Sequence, residues 1–147
     1  MLAVVTRVKN ARVEIEDRPV GEIGAGLLVL LGVSVEDGEA DADYVADRVA
    51  GLRIFEDDRG KMNISPKDAA AEILAVSQFT LCGDVRSRRP SFIGAARPEQ
   101  AVPLYERFLA RCKEAGFTVR SGVFGADMQV FSQNDGPVTL LVDSKNR

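Results

Sequence analysis

The sequence predicts an α/β protein of layered mixed β-sheets with two helices, and three observations carry that prediction. Residues Leu27 to Val33 are almost uniformly apolar, without alternation, as expected of a strand covered on both faces. Two stretches, roughly 39–50 and 98–115, repeat apolar residues at helical spacing. The two ends of the chain are rich in short β-type runs. With 147 residues, 46% of them hydrophobic, the chain can bury a substantial core, and no repeat, low-complexity tract or linker divides it. One domain over residues 1–147 is expected.

Taken in order, residues 2–8 and 11–16 read as two strands around Lys9-Asn10, with Val13 and Ile15 alternating against Glu14 and Glu16. A turn at Asp17-Arg18-Pro19 leads through Val20 to Ile23, and Gly24-Ala25-Gly26 opens the apolar strand. Asp37-Gly38 introduces the first helix, whose Ala42, Val45, Ala46 and Val49 share one face. Its early acids suit the positive end of the helix dipole. Ile54-Phe55 is a short strand candidate before the turn at 57–60, and Asn63 to Pro66 reads as loop or edge. Glu72 to Phe79 is expected as a central strand. A long loop, 82–97, precedes the second helix, with Ala101, Leu104, Tyr105, Phe108, Cys112 and Ala115 on one stripe. Pro98 suits a first helical position, whereas Pro103 implies either a later start or a kink. Gly116 ends the helix, and strands near 117–121, 127–132 and 137–143 complete the chain.

Composition removes several kinds of chemistry. There is no histidine, which excludes an imidazole base, Ser-His-Asp and Cys-His nucleophile systems, and histidine-ligated zinc. Cys82 and Cys112 are too few and too far apart for a disulfide framework or a metal knuckle. The acids are numerous but lack a ligand spacing, so neither metal nor cofactor is expected. No aliphatic run is long enough to cross a bilayer and no secretory signal opens the chain, so the default expectation is a cytoplasmic protein without membrane association. The formal charge of −3 disfavours nucleic acid, but residues 84–97 set Arg86, Arg88, Arg89 and Arg97 against a single acid, Asp84. A basic loop on an acidic body is a candidate RNA grip; solvated surface charge is the alternative.

Two motifs stand out. Ser77-Gln78-Phe79-Thr80-Leu81 puts hydrogen-bonding side chains at the end of an apolar strand, where they serve either a pocket or local bonds. Asn134-Asp135-Gly136-Pro137-Val138-Thr139 sets a Gly-Pro turn against an apolar run. Together they resemble the signature pair of the D-aminoacyl-tRNA deacylases. Further stretches look like that family and occur in the right order: Gly21-Glu22-Ile23-Gly24, Leu52-Arg53-Ile54-Phe55, Lys61-Met62-Asn63, Arg89-Pro90-Ser91-Phe92 and Phe124-Gly125-Ala126-Asp127-Met128. Pro103, Arg86-Ser87-Arg88 and Cys82 depart from the pattern.

The resemblance implies hydrolysis of the ester in D-aminoacyl-tRNA, and in mischarged glycyl-tRNA, as a chiral proofreading step. It implies a homodimer in which Gly136 and Pro137 of one subunit, joined by a cis peptide, enter the other subunit's pocket. That pocket would hold the 3′-terminal aminoacyl-adenosine. The backbone N–H of Phe79, with Thr80 nearby, would stabilise the oxyanion, and the ribose 2′-hydroxyl would help to activate water. Ser77 and Gln78 would hold the pocket or simply pair within the strand. Thr80 has three possible roles: nucleophile, substrate positioning or strand packing. A nucleophile would need a base, and none is adjacent in sequence. Phe124 is a candidate for stacking on adenine or for the core. Arg7 either braces the Gly-Pro segment or is a solvated strand residue. Arg86, Arg88, Arg89 and Arg97 are candidate phosphate contacts. Two other readings stay open: a noncatalytic RNA- or DNA-binding module, and an esterase or peptidase working through Thr80 or Ser77.

Overall fold

The computed structural model describes residues 1–147. Strand β1, Leu2–Ile15, is the spine of the sheet. Strand β3, Gly26–Gly32, pairs antiparallel with its first half, and β2, Arg18–Ile23, with its second half. Strand β8, Gln129–Asp143, pairs with β1 along nearly its whole length, from Leu2↔Asp143 to Glu14↔Gln129. The two strands expected at 2–8 and 11–16 are therefore one. Lys9 and Asn10 are exposed at the point where β1 exchanges β3 for β2, while pairing with β8 continues past it. The two strands expected near 127–132 and 137–143 likewise merge into β8.

Strand β6, Glu72–Ser77, adds parallel to β3, and β7, Val119–Ser121, adds parallel to β6. The sheet is mixed, in the order β2-β1-β3-β6-β7 with β8 on β1. It curls so far that β2 packs against β6 and β7. A Cβ on Gly21 would lie 2.7 Å from the Ser121 carbonyl, so only glycine allows that approach. Inside the curl Val8, Val13, Ile23, Leu28, Leu74 and Val76 form a second core. The first core lies on the other face, between the sheet and two helices, α1 (Glu39–Gly51) and α2 (Pro98–Glu114). Because β3 serves both cores, its sequence has no polar face. Strands β4 (Phe55–Glu56) and β5 (Met62–Ile64) form a separate small hairpin.

The helices bury the expected stripes, and Gly38 N–H donates to the Asp41 carboxylate at 2.8 Å where α1 begins. Helix α2 starts at Pro98 and runs on through Pro103. The donor that Pro103 lacks would have met only the carbonyl of exposed Glu99, which water can satisfy, while Leu104, Tyr105, Phe108 and Cys112 hold the helix to the core. Gly116 closes α2 with φ +97°. The chain ends meet at α1: the Met1 ammonium donates to Asp37 Oδ1 at 2.5 Å and Ser144 Oγ at 2.7 Å, and Lys145 pairs with Asp41 at 3.0 Å. No helix is long and apolar enough to cross a membrane.

Candidate active site

Parallel strands leave a crevice at their carboxyl ends, and it is the usual place for a ligand in such sheets. Here β3 ends in Leu31 and Gly32, and β6 ends at Ser77, two residues short of the Glu72 to Phe79 strand expected from sequence. Residues Phe79–Cys82 form a single 3₁₀ turn instead, with Leu81 N–H bonded to Gln78 O and Gly83 N–H to Thr80 O. The turn can fold back over β3 because Gly32 has no side chain: a Cβ there would stand 2.9 Å from Leu81 Cβ. Gln78 N–H still reaches Leu31 O at 2.8 Å, so the turn is anchored at its first residue.

A cleft of about 210 Å³ lies against this turn, lined by Leu31, Val33, Ser77, Gln78, Phe79, Thr80, Ala96, Ala101, Phe124, Gly125, Ala126 and Met128. The structure thus brings Ser77, Gln78, Phe79, Thr80 and Phe124 together. Phe124 is half-buried and does two things at once, walling the cleft and packing on Tyr105 at 6.1 Å between ring centroids. Phe79 is exposed and meets Phe92 edge-on at 5.2 Å, which ties the 82–97 loop to the rim. Gln78 Nε2 donates to Thr80 Oγ1 at 3.1 Å, orienting the hydroxyl so that its own proton is free for another acceptor. Phe79 and Thr80 are the first residues of the turn, where the i→i−3 pattern supplies no acceptor for their N–H groups.

No residue lining the cleft is titratable. The thiols lie elsewhere, and burial raises both: Cys112 is pushed up to about 12, and Cys82 is raised by burial and by the nearby Asp37 charge. Burial also pushes the Tyr105 phenol up to about 12, and it donates to Ala75 O at 2.9 Å behind the cleft. A side-chain nucleophile within this cleft would have no base beside it. No cluster of three or more acids and thiols is arranged to hold a metal.

Gly136, Pro137 and Arg7 form a second group, apart from the cleft of their own chain. Between Thr6↔Thr139 and Val8↔Asn134, one residue of β1, Arg7, faces four of β8, so residues 135–138 leave the ladder as an excursion. The Gly136–Pro137 peptide is cis and both residues are exposed. A side chain on Gly136, at φ +141°, would lie 2.6 Å from Val138 Cγ2. Arg7 is buried beneath the excursion. Its Nε donates to Asp135 O at 2.9 Å and its guanidinium to Ile54 O at 2.6 Å, with Asp135 and Glu56 carboxylates at 3.7 and 3.8 Å.

The arginines of the loop differ among themselves. Arg86 is held by Asp84 through Nε contacts of 3.0 and 2.8 Å, so its charge is met locally. Arg97 lies 3.9 Å from Glu99. Arg88 and Arg89 are exposed and make no ion pair. Sequence reasoning assigned no role to Leu31, Val33, Ala96, Ala101, Gly125, Ala126 or Met128. Leu31, Val33 and Ala101 were legible only as strand and helix core, Gly125, Ala126 and Met128 only as part of the Phe124 to Met128 stretch, and Ala96 only as a residue of the long loop.

Fold and cleft first define a class: a layered mixed α/β protein with a ligand crevice at parallel strand ends. The chain belongs to the D-Tyr-tRNA(Tyr) deacylase family, whose description it matches over residues 4–143. It is 59% identical to a D-aminoacyl-tRNA deacylase of Symbiobacterium thermophilum over 97% of this chain and 95% of that one. It is 52% identical to one of Cytophaga hutchinsonii over 100% and 99%. Among solved structures, a c-Myc DNA unwinding element binding protein superposes with a TM-score of 0.92 at 40% identity, covering 97% of this chain and 98% of that one. A probable eukaryotic D-amino acid tRNA deacylase superposes with a TM-score of 0.83 at 18% identity and shows the common fold, over the same shares. The family is one of enzymes that hydrolyse an ester bond.

Proposed function

We propose that the protein hydrolyses the ester of D-aminoacyl-tRNA to free tRNA and amino acid, a chiral proofreading step in the cytoplasm, and acts on mischarged glycyl-tRNA as well. Family membership supports the reaction, and one observation carries the mechanism: the cleft is walled by the Ser77–Thr80 segment and has no titratable side chain. An aminoacyl ester is already activated, so placing it and stabilising the oxyanion can suffice. In this reading Phe79 N–H, with Thr80 nearby, faces the oxyanion. The ribose 2′-hydroxyl beside the ester helps to activate water, and Thr80, oriented by Gln78, positions the substrate. Phe124 stacks on the terminal adenine. Arg88 and Arg89 meet phosphates more readily than Arg86, which Asp84 already holds.

The working unit is a homodimer in which Gly136 and Pro137 of one subunit complete the partner's cleft. Two features support this. The excursion is exposed and braced by Arg7 but does not line its own cleft. Strand β8 has no neighbour beyond β1 and exposes Val130, Phe131, Leu140 and Leu141, a long apolar edge of the kind that pairs with another chain. A rigid main chain where an L side chain would point excludes L residues and leaves D residues and glycine room.

Deacylation of D-tyrosyl-tRNA, with buffer blanks, tests the activity, and light scattering tests the dimer. Replacing the terminal ribose 2′-hydroxyl by hydrogen is expected to abolish turnover if RNA assists. A general esterase would cleave small esters lacking that hydroxyl. A binding module, which the name of the 40%-identical structure brings into view, would hold charged and uncharged tRNA alike and leave the ester intact.

A further inference from the structure

We propose that Asn134 is the positioning residue that fixes the angle of the Gly136–Pro137 excursion and so sets the ratio of D to L hydrolysis; this rests on the reading above that the excursion is the chiral wedge. Residues 135–138 have no ladder partners on β1, so their direction must come from side chains. Arg7 holds one end through Asp135 O. Asn134 holds the other and spans the neck. Its Oδ1 accepts Val138 N–H at 2.9 Å, and its Nδ2 donates to Thr139 Oγ1 at 3.0 Å. Thr139 Oγ1 in turn lies 3.3 Å from Thr6 Oγ1 on β1.

The chemistry requires an amide at this point. Val138 N–H can only donate, so the acceptor oxygen must face it and the amide nitrogen must face Thr139. A single short, planar group therefore links the residue where β8 leaves the ladder with the last residue of the excursion, Val138, and with Thr139, where pairing resumes. Leucine fills the same space and makes neither bond. Aspartate keeps the acceptor for Val138, and the Thr139 hydroxyl can rotate to donate to it. Thr139→Val keeps shape and removes one bond only.

The experiment compares D-tyrosyl- and L-tyrosyl-tRNA hydrolysis by Asn134→Leu, Asn134→Asp, Thr139→Val and, as a wedge control, Gly136→Ala. For Asn134→Leu the expected result is a D/L ratio of kcat/KM lower by about tenfold, the size expected when a hydrogen-bonded group worth about 1.4 kcal/mol is lost. Hydrolysis of the L substrate should rise above that of the parent protein. Asn134→Asp should recover most of the ratio, and Thr139→Val should fall between. Should Gly136→Ala lower the ratio while Asn134→Leu and Thr139→Val, both folded, leave it at the parent value, the Asn134 assignment is overturned and the wedge stands. An equal loss on both substrates would make Asn134 merely structural and would also overturn it. If Gly136→Ala leaves the ratio unchanged as well, the wedge reading itself fails. Were Asn134→Leu not to fold, the same decision rests on Thr139→Val and Asn134→Asp.

Discussion

The cleft stands on a register between β3 and β6 that runs unbroken from Gly26↔Glu72 to Leu31↔Ser77, over two buried cores. Residues 135–138, by contrast, hang from β8 where one residue of β1 faces four, and are held by Arg7 and Asn134. The first region is fixed by the packing that folds the protein. The second is fixed by a handful of side-chain bonds. In the proposed enzyme, then, capacity to bind substrate is inseparable from stability, whereas chiral choice can be altered while the fold survives.

The sharpest way to break this contrast is Arg7→Ala, since Arg7 is the one buried group that serves the excursion. Its loss leaves the Asp135 and Ile54 carbonyls short of a charged donor and is expected to cost about 2–4 kcal/mol, read by urea denaturation. A change below about 0.5 kcal/mol, the ordinary range for surface positions, would show that the excursion needs no brace. Next comes Gly136→Ala, where the new methyl meets Val138 Cγ2 and must displace the main chain. A misplacement of this kind is expected to cut the D/L ratio by about 10²-fold while leaving the cleft intact.

Thr80→Ala separates positioning from nucleophilic attack. Removal of one neutral hydrogen-bonding group should lower D-tyrosyl-tRNA turnover about tenfold. A loss of several powers of ten with intact folding would make Thr80 the nucleophile. Replacing Arg88 and Arg89 by glutamine should weaken tRNA binding and flatten its salt dependence by about 0.7–0.9 per residue, and Arg86→Gln should do less because Asp84 already holds it. An unchanged slope would return the loop to plain surface charge.

The smallest effect concerns acid stability. Burial alone would raise the Asp41 carboxyl, but the Gly38 amide, the Ser144 hydroxyl and the Lys145 ammonium hold it below the ordinary carboxylate range. The unfolded chain then binds the proton more readily. The contribution is complete above the ordinary pKa of about 4 and is lost as pH falls through the lower, folded value. Asp41→Asn should remove that part of the acid dependence and leave the neutral-pH slope alone, as thermal melts between those limits would show.

The legibility of the sequence follows the same division. Strand β3 and the stripes of α1 and α2 were readable because burial against a core imposes a period. The break expected at Lys9-Asn10 was not a break, since exposure there comes from a change of neighbour that only the three-dimensional pairing reveals. The Gly-Pro pair read as a turn between strands, yet β8 continues on both sides of it because β1 offers partners to both. Arg7 could be read only as one of two alternatives, a brace of the Gly-Pro segment or a solvated strand residue, because Ile54, whose carbonyl it meets, lies 47 residues away. The Ser77–Thr80 motif was legible as chemistry, but its 3₁₀ geometry depends on Gly32, a small residue on another strand.

The most direct test of the central claim is the hydrolysis of matched D-tyrosyl- and L-tyrosyl-tRNA by the purified protein, with glycyl-tRNA alongside. The account predicts cleavage of the D and glycyl esters, with the L ester decaying at the rate of the buffer blank. Cleavage of the L ester as fast as the D ester would contradict it.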